Sequence, residues 1–190
     1  LFFTLFLLTK EAMAIWGIFI ILGLMVKNRT TLSKQYFKLE IPLLIIALIY
    51  GASVILWIMP NMQQSDSNLQ IGRYAHLGKS IWEMVTNISL NPQMVFSNTT
   101  SDSAYNFIKS ETIIMFLLAG GIFCIVRPAY FIMCLPIFAQ KFLSSDYALW
   151  GINYHYSIEF VPVLALATID MIGNIKRATV QNQIAVTMVI

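Results

Sequence analysis

Two adjacent charged residues, Lys10 and Glu11, stand inside a long apolar run near the start of the chain. Ionisable side chains within segments long enough to cross a membrane are rare, and they are usually paired or functional. Neighbours in a helix point about 100° apart, so these two side chains do not simply pair with each other. Two interpretations stay open: an ion pair with another helix, or a substrate pocket between helices.

A second group of hydrogen-bonding side chains, Tyr154, His155 and Tyr156, comes shortly before Glu159. His155 and Glu159 are four residues apart and therefore share one face of a helix. An imidazole and a carboxylate in this arrangement could bind a divalent metal ion as cofactor, or act as acid and base. They supply only half of a metal site, and no H-E-x-x-H motif is present. The alternative is an aromatic belt at the membrane interface that includes a hydrogen-bonded histidine.

Three further side chains, Arg73, His76 and Lys79, precede a helix-capping signature that runs from Ser80 to Glu83. Serine followed three residues later by glutamate predicts a helix start. The apolar spacing after it indicates a short amphipathic helix at a membrane surface. Because helix N-termini attract anions, this segment could bind a lipid phosphate or a sugar phosphate. The alternative is a solvated loop that touches lipid head groups.

The composition indicates that membrane helices position these residues. Of 190 residues, 58% are hydrophobic and only 11% are charged, against about 45–50% and roughly 25% in soluble domains. This balance excludes a nucleic-acid module, a disulfide scaffold and an ordinary cytosolic enzyme. Because a bilayer needs ~20 apolar residues per helix, we expect an all-α, polytopic transmembrane helix bundle. The five predicted spans are 1–26, 41–59, 107–126, 128–143 and 156–172, and a sixth begins at 183.

A hairpin at Arg127 separates the third and fourth predicted spans. One continuous helix would put this guanidinium at mid-bilayer, which costs about 2.5–3.5 kcal/mol. With the hairpin, seven of the twelve basic residues share one side, which the positive-inside rule assigns to the cytoplasm. The predicted cytoplasmic loops are 27–40 and 173–182, and the predicted extracytoplasmic loops are 60–106 and 144–155.

The chain begins at Leu1 without methionine, and it ends at Ile190 inside another apolar run. We therefore expect residues 1–190 to form a single membrane domain that is a fragment of a longer protein. Its long extracytoplasmic loop, 60–106, carries the short amphipathic helix.

Several motifs along the chain carry a family resemblance through their order and spacing. They are Thr9-Lys10-Glu11, Tyr74, Leu77-Gly78-Lys79-Ser80, Asn91-Pro92, Pro136, Leu143-Ser144-Ser145, His155-Tyr156 and Pro162. Together they resemble the prokaryotic membrane protein family called domain of unknown function 2079, over roughly residues 5–175.

That family is similar to the GT-C glycosyltransferases, polytopic enzymes that take sugars from polyprenyl-phosphate donors on the extracytoplasmic face. The resemblance implies the same activity here, with a glycan or a protein as acceptor. GT-C enzymes usually keep their catalytic carboxylate in the first extracytoplasmic loop. We expect this chain to start after that loop, which puts the catalytic base outside it. Donor phosphate would bind Arg73, Lys79 and Lys10, and Glu11, Tyr154, His155, Tyr156 and Glu159 would line the pocket for sugar or metal.

Two other function classes stay open. A transporter or lipid-handling protein would place its site on broken helices near the midplane and would often show inverted repeats. No repeat is visible in this sequence. A non-catalytic membrane scaffold would tolerate the loss of Arg73 and Lys79. Membrane lipid is a partner in every case, whereas a net charge of +3 does not support nucleic acid as a partner.

Overall fold

The computed structural model describes most of the chain. The described residues are 2–10, 12–29, 34–58, 61, 72–96, 107–152 and 155–174. Every regular element in these ranges is helical, which confirms the all-α prediction for this part of the chain. The α-helices are α1 (Phe2–Leu8), α2 (Met13–Asn28), α3 (Lys34–Ser53), α4 (Ile81–Leu90), α5 (Ile108–Phe116), α6 (Ile122–Val126), α7 (Pro128–Phe142), α8 (Tyr147–Trp150) and α9 (Val161–Gly173).

Two described helical stretches are long and apolar enough to cross a membrane, Phe37–Ile58 and Ile108–Val126. Both coincide with predicted spans. Only 17% and 28% of their most apolar windows are buried, whereas the core helix of a soluble protein would be mostly covered. Met13–Asn28 is a shorter apolar helix. The number of spans stays a prediction, and the predicted sixth span lies outside the described residues.

The predicted first span is two helices rather than one. Helix α1 ends at Leu8, and α2 begins after a turn in which the Met13 amide donates to the Lys10 carbonyl at 3.0 Å. The Thr9 hydroxyl donates to the Phe6 carbonyl at 2.7 Å, and such side-chain bonds compete with helix continuation. Helix α1 then folds back, since a Cβ on Gly17 of α2 would lie 3.2 Å from Leu7.

The predicted break at Arg127 is confirmed. Helix α6 ends just before it, the residue has φ −112° and ψ 92°, and Pro128 occupies the first turn of α7, where its missing amide hydrogen costs nothing. The Arg127 Nε atom lies 4.0 Å from an Asp170 carboxylate oxygen, and Lys27 Nζ lies 2.9 Å from the other. The ends of α2 and α9 therefore meet the α6–α7 turn, and we call this the Asp170 end of the bundle.

The closest helix contact joins α2 and α7. A Cβ on Gly23 would lie only 2.5 Å from the Ala129 carbonyl oxygen, so the absence of a side chain lets the two backbones approach. Beside this contact, α5, α7 and the segment before α9 enclose an aromatic core. Phe138 packs with its ring centroid 4.8 Å from those of both Phe116 and Phe160.

The predicted amphipathic helix is confirmed as α4. The Glu83 amide donates to Ser80 Oγ at 3.2 Å, and the Glu83 carboxylate accepts from the Lys79 amide at 2.8 Å. This reciprocal cap reaches one residue further back than the usual capping box, which returns to the N-cap amide. The side chains of Trp82 and Val85 are 82% and 52% exposed, so the helix presents apolar surface outward. Its position at a membrane surface stays a prediction.

Candidate ligand-binding cavity

A cavity of about 710 Å³ lies between α2, α7, the π-helical segment Val54–Ile58 that continues α3, and the segment that begins at Arg73. Its volume falls within the range of roughly 300–1,000 Å³ that is typical of small-molecule sites. The lining is mostly aliphatic and aromatic, with Trp16 and Phe19 from α2 and Leu135 from α7 among its members. Such a cavity suits a ligand that carries a hydrocarbon portion.

Four polar residues interrupt this apolar lining: Lys10, Arg73, Tyr74 and Gln140. Lys10 is exposed at the turn between α1 and α2, and Arg73 is partly exposed. Two cations beside an apolar cavity provide affinity for an amphiphile with an anionic group, because a partly desolvated wall strengthens charge interactions. The structure thus brings together two of the predicted phosphate-binding residues.

One backbone hydrogen bond and one ion pair hold Arg73 at the cavity. The Ser145 amide donates to the Arg73 carbonyl at 2.7 Å, and Arg73 Nη2 lies 3.6 Å from Asp146 Oδ2. Asp146 also caps α8 by accepting from the Ala148 amide at 3.1 Å. A partly exposed ion pair is worth about 0.2–1 kcal/mol. An anionic ligand can therefore compete with Asp146 for the guanidinium.

Tyr74 fixes the same segment to the end of α7. Its hydroxyl donates to the Gln140 carbonyl at 3.3 Å. Burial raises the pKa of Tyr74, and the nearby Arg73 charge lowers it by less. The phenol therefore stays protonated at neutral pH and keeps its hydrogen-bond donor.

The Gln140 carboxamide contributes an unmet acceptor to the cavity wall. Its Oε1 atom is buried and has no hydrogen-bond partner. An unsatisfied buried polar group costs about 1–3 kcal/mol.

Two buried lysines donate hydrogen bonds to backbone carbonyls in the segments around the cavity. Neither of them was selected from the sequence. Lys141 is fully buried and donates to the Leu149 carbonyl at 3.0 Å, and it interacts electrostatically with Glu159. Lys109 donates to the Phe142 carbonyl at 2.9 Å and lies 4.5 Å from the Trp150 ring centroid. In sequence both lysines stand near the ends of apolar runs, where an exposed interfacial lysine is equally common. No local signal could have separated the two cases.

His76 and Lys79 do not line the cavity. His76 belongs to the short 3₁₀ turn Ala75–Leu77, where burial, and secondarily the Lys109 charge, lower its imidazole pKa. This shift lowers the fraction of His76 that is protonated, so it disfavours the predicted role as a cation. The Lys79 backbone amide donates to the Glu83 carboxylate in the cap of α4. Neither residue joins Lys10 and Arg73.

The remaining predicted site residues are only partly described. Glu11 and Tyr154 lie outside the described residues, and of His155 and Tyr156 only the backbone, in the 3₁₀ turn His155–Phe160, is described. Within the described part of the chain, no group of three or more His, Cys, Asp or Glu side chains could hold a metal ion. The His155–Glu159 metal pair stays a prediction.

The model of the family described as "Predicted membrane protein (DUF2079)" matches residues 1–190. No curated protein and no solved structure matches the chain.

Proposed function

The chain belongs to the DUF2079 family of predicted membrane proteins, and from this premise we propose that it is part of a GT-C-like glycosyltransferase. In this proposal the cavity binds the phosphate group of a polyprenyl-phosphate sugar. One observation carries the proposal: Lys10 and Arg73, far apart in sequence, line the same largely apolar cavity.

The chemistry of such a donor suits both parts of the cavity. Its first isoprene units are apolar and would pack against Trp16, Phe19 and Leu135. Its phosphate would accept charge-assisted hydrogen bonds from the ammonium and the guanidinium, which are about twice as strong as neutral ones. The fork of Arg73 can bind two phosphate oxygens at once.

The same two cations would assist sugar transfer. The acceptor hydroxyl loses its proton to a general base, and its oxygen attacks the anomeric carbon of the sugar. The bond between that carbon and the phosphate oxygen breaks, so polyprenyl phosphate leaves with an additional negative charge. Lys10 and Arg73 would stabilise the charge that develops on the leaving phosphate. The acceptor is a glycan or a protein.

The positive-inside rule supports an extracytoplasmic position for the cavity. Arg127 and the cavity residue Gln140 lie near opposite ends of α7, a helix about 22 Å long. If the basic Asp170 end faces the cytoplasm, the cavity faces outward. The exposed apolar face of α4 around Trp82 would then rest on the outer membrane surface.

Binding of a short lipid phosphate to the protein in nanodiscs tests the proposal. We expect farnesyl phosphate to bind about 10-fold more weakly to Arg73→Gln and to Lys10→Gln than to the wild type, since each loses a charged hydrogen bond. Lys38→Gln is the matched control, because Lys38 is exposed and does not line the cavity. Equal affinity in all four proteins would refute the phosphate site.

A lipid transporter is the second candidate, and the helix break supports it. The turn between α1 and α2 places Lys10 at a discontinuity, and transporters often build substrate sites at broken helices. Movement of intact lipid-linked sugar across proteoliposomes without any transfer product favours this candidate. A glycosylated acceptor in the same assay favours the enzyme.

A further inference from the structure

We propose that Gln140 is a specificity residue that accepts a hydrogen bond from a hydroxyl group of the ligand's sugar. This inference rests on the proposed function, because it concerns the ligand of the same cavity. Gln140 lies in the last turn of α7. Its backbone carbonyl accepts from the Tyr74 hydroxyl, which holds the residue beside Arg73.

The side-chain oxygen of Gln140 accepts no hydrogen bond in the structure. Among the described residues, two buried side-chain oxygens lack a hydrogen-bond partner, Gln140 Oε1 and Glu40 Oε2. Glu40 does not line the cavity, and its other carboxylate oxygen accepts from Asn28 at 2.6 Å. Of the two residues, Gln140 lines the cavity described above.

In this proposal, rotation of the terminal carboxamide turns the oxygen toward the cavity that Gln140 lines. Oε1 is shielded from solvent in the empty cavity, but the terminal torsion of glutamine is broad and soft. The carboxamide can turn toward a bound donor and form the hydrogen bond that it lacks. The additional binding free energy depends on the ligand, because only a ligand with a hydrogen-bond donor at that position can form this bond.

The chemistry of the proposed ligand identifies the donor. A phosphate diester carries no donor at neutral pH, and a polyprenyl chain has neither donor nor acceptor. The sugar hydroxyls are therefore the only groups of a polyprenyl-phosphate sugar that can donate to Gln140. After transfer, the polyprenyl phosphate product lacks these hydroxyls. Gln140 thus favours the donor over the spent product, which helps the product to leave.

Paired probes test this assignment in the protein in nanodiscs. We expect farnesyl phosphoryl glucose to bind about 3–10-fold more tightly than a methyl diester of farnesyl phosphate, which matches one net hydrogen bond. In Gln140→Leu this preference should disappear, so that the two probes bind with equal affinity. Gln93→Leu is the matched control, because Gln93 is an exposed glutamine away from the cavity.

A preference retained in Gln140→Leu would overturn the inference. Monodeoxy glucose probes on the wild-type protein give a second test that does not depend on a variant folding. Loss of one hydroxyl should cost about 3–10-fold, and equal affinity for every deoxy probe would also overturn the inference. If Arg73→Gln leaves all affinities unchanged, the phosphate site itself is wrong. If Arg73→Gln weakens binding but Gln140→Leu keeps the preference, only the role of Gln140 is wrong.

Discussion

Each end of α7 has two cations and one carboxylate in its surroundings, and the two ends differ in how many of the cations the carboxylate pairs with. At the Asp170 end, Lys27 and Arg127 both lie within 4.0 Å of Asp170. At the cavity end, the described ion pair joins Arg73 to Asp146 at 3.6 Å and leaves Lys10 out. The comparison teaches that two cations form a candidate anion-binding site only where two conditions hold. A cavity must adjoin them, and the nearby carboxylate must not form ion pairs with both.

The contact that joins α2 to α7 should give the largest effect, because it sets the positions of both ends. In Gly23→Val the new side chain would collide with the Ala129 carbonyl. We expect a loss of about 2–3 kcal/mol in the free energy of unfolding, together with loss of farnesyl phosphate binding. Thermal unfolding in detergent measures the first. Gly173→Ala is the control, since a Cβ there meets nothing within 4 Å, and equal stability of both variants would contradict the packing argument.

Removal of the shared carboxylate should destabilise the Asp170 end. Asp170→Asn leaves Lys27 and Arg127 close together without their common anion. The group is partly exposed, so we expect a cost of about 1–2 kcal/mol rather than that of a fully buried pair. Farnesyl phosphate affinity should stay the same. A loss of affinity without loss of stability would mean that this end also takes part in ligand binding.

The corresponding change at the cavity end should act on binding instead of stability. Asp146→Asn frees Arg73 from its ion pair, and asparagine still caps α8 well. We expect farnesyl phosphate to bind about 2–5-fold more tightly, since a partly exposed pair is worth about 0.2–1 kcal/mol. Isothermal titration of the two variants side by side measures the contrast. Weaker binding in Asp146→Asn would show that the carboxylate positions Arg73 rather than competing for it.

The smallest effect should come from pH. The pKa of His76 is lower in the folded protein than its ordinary value of 6.5, so protonation favours the unfolded state. This stabilising contribution is complete above pH 6.5 and is lost as the pH falls toward the folded-state pKa. We expect the melting temperature to drop more between pH 7.5 and pH 5.5 in the wild type than in His76→Gln. Identical drops would contradict the burial of the imidazole.

Local signals in the sequence predicted local structure well. The cap at Ser80 and Glu83 marked the start of α4, and the Arg127-Pro128 step marked the break before α7. These features depend on interactions within a few residues, so the sequence contains their cause. The turn at Lys10 was missed because the apolar run resumes directly after Lys10 and Glu11, and composition does not reveal where a helix folds back.

The residues of the cavity could be predicted only in part. Lys10 and Arg73 were selected because charge is rare in this chain, and rarity is visible in the sequence. Gln140 was missed, since a glutamine at the end of an apolar run carries no signal of a buried, unpaired oxygen. The lowered pKa of His76 was missed because it depends on partial desolvation by other segments of the chain.

The sequence by itself determined the helical class, the membrane family and the scarcity of charge, because these follow from composition and from contacts between near neighbours. Only the tertiary structure decided which of the few charges meet. Lys10 and Arg73 share a cavity because α1 folds back on α2 and the Arg73 backbone is bonded to Ser145. Lys109 and Lys141 instead satisfy backbone carbonyls in the interior. A lysine in this chain can therefore line a cavity or stabilise the interior. Long-range contacts decide between the two roles, and no local sequence pattern encodes those contacts.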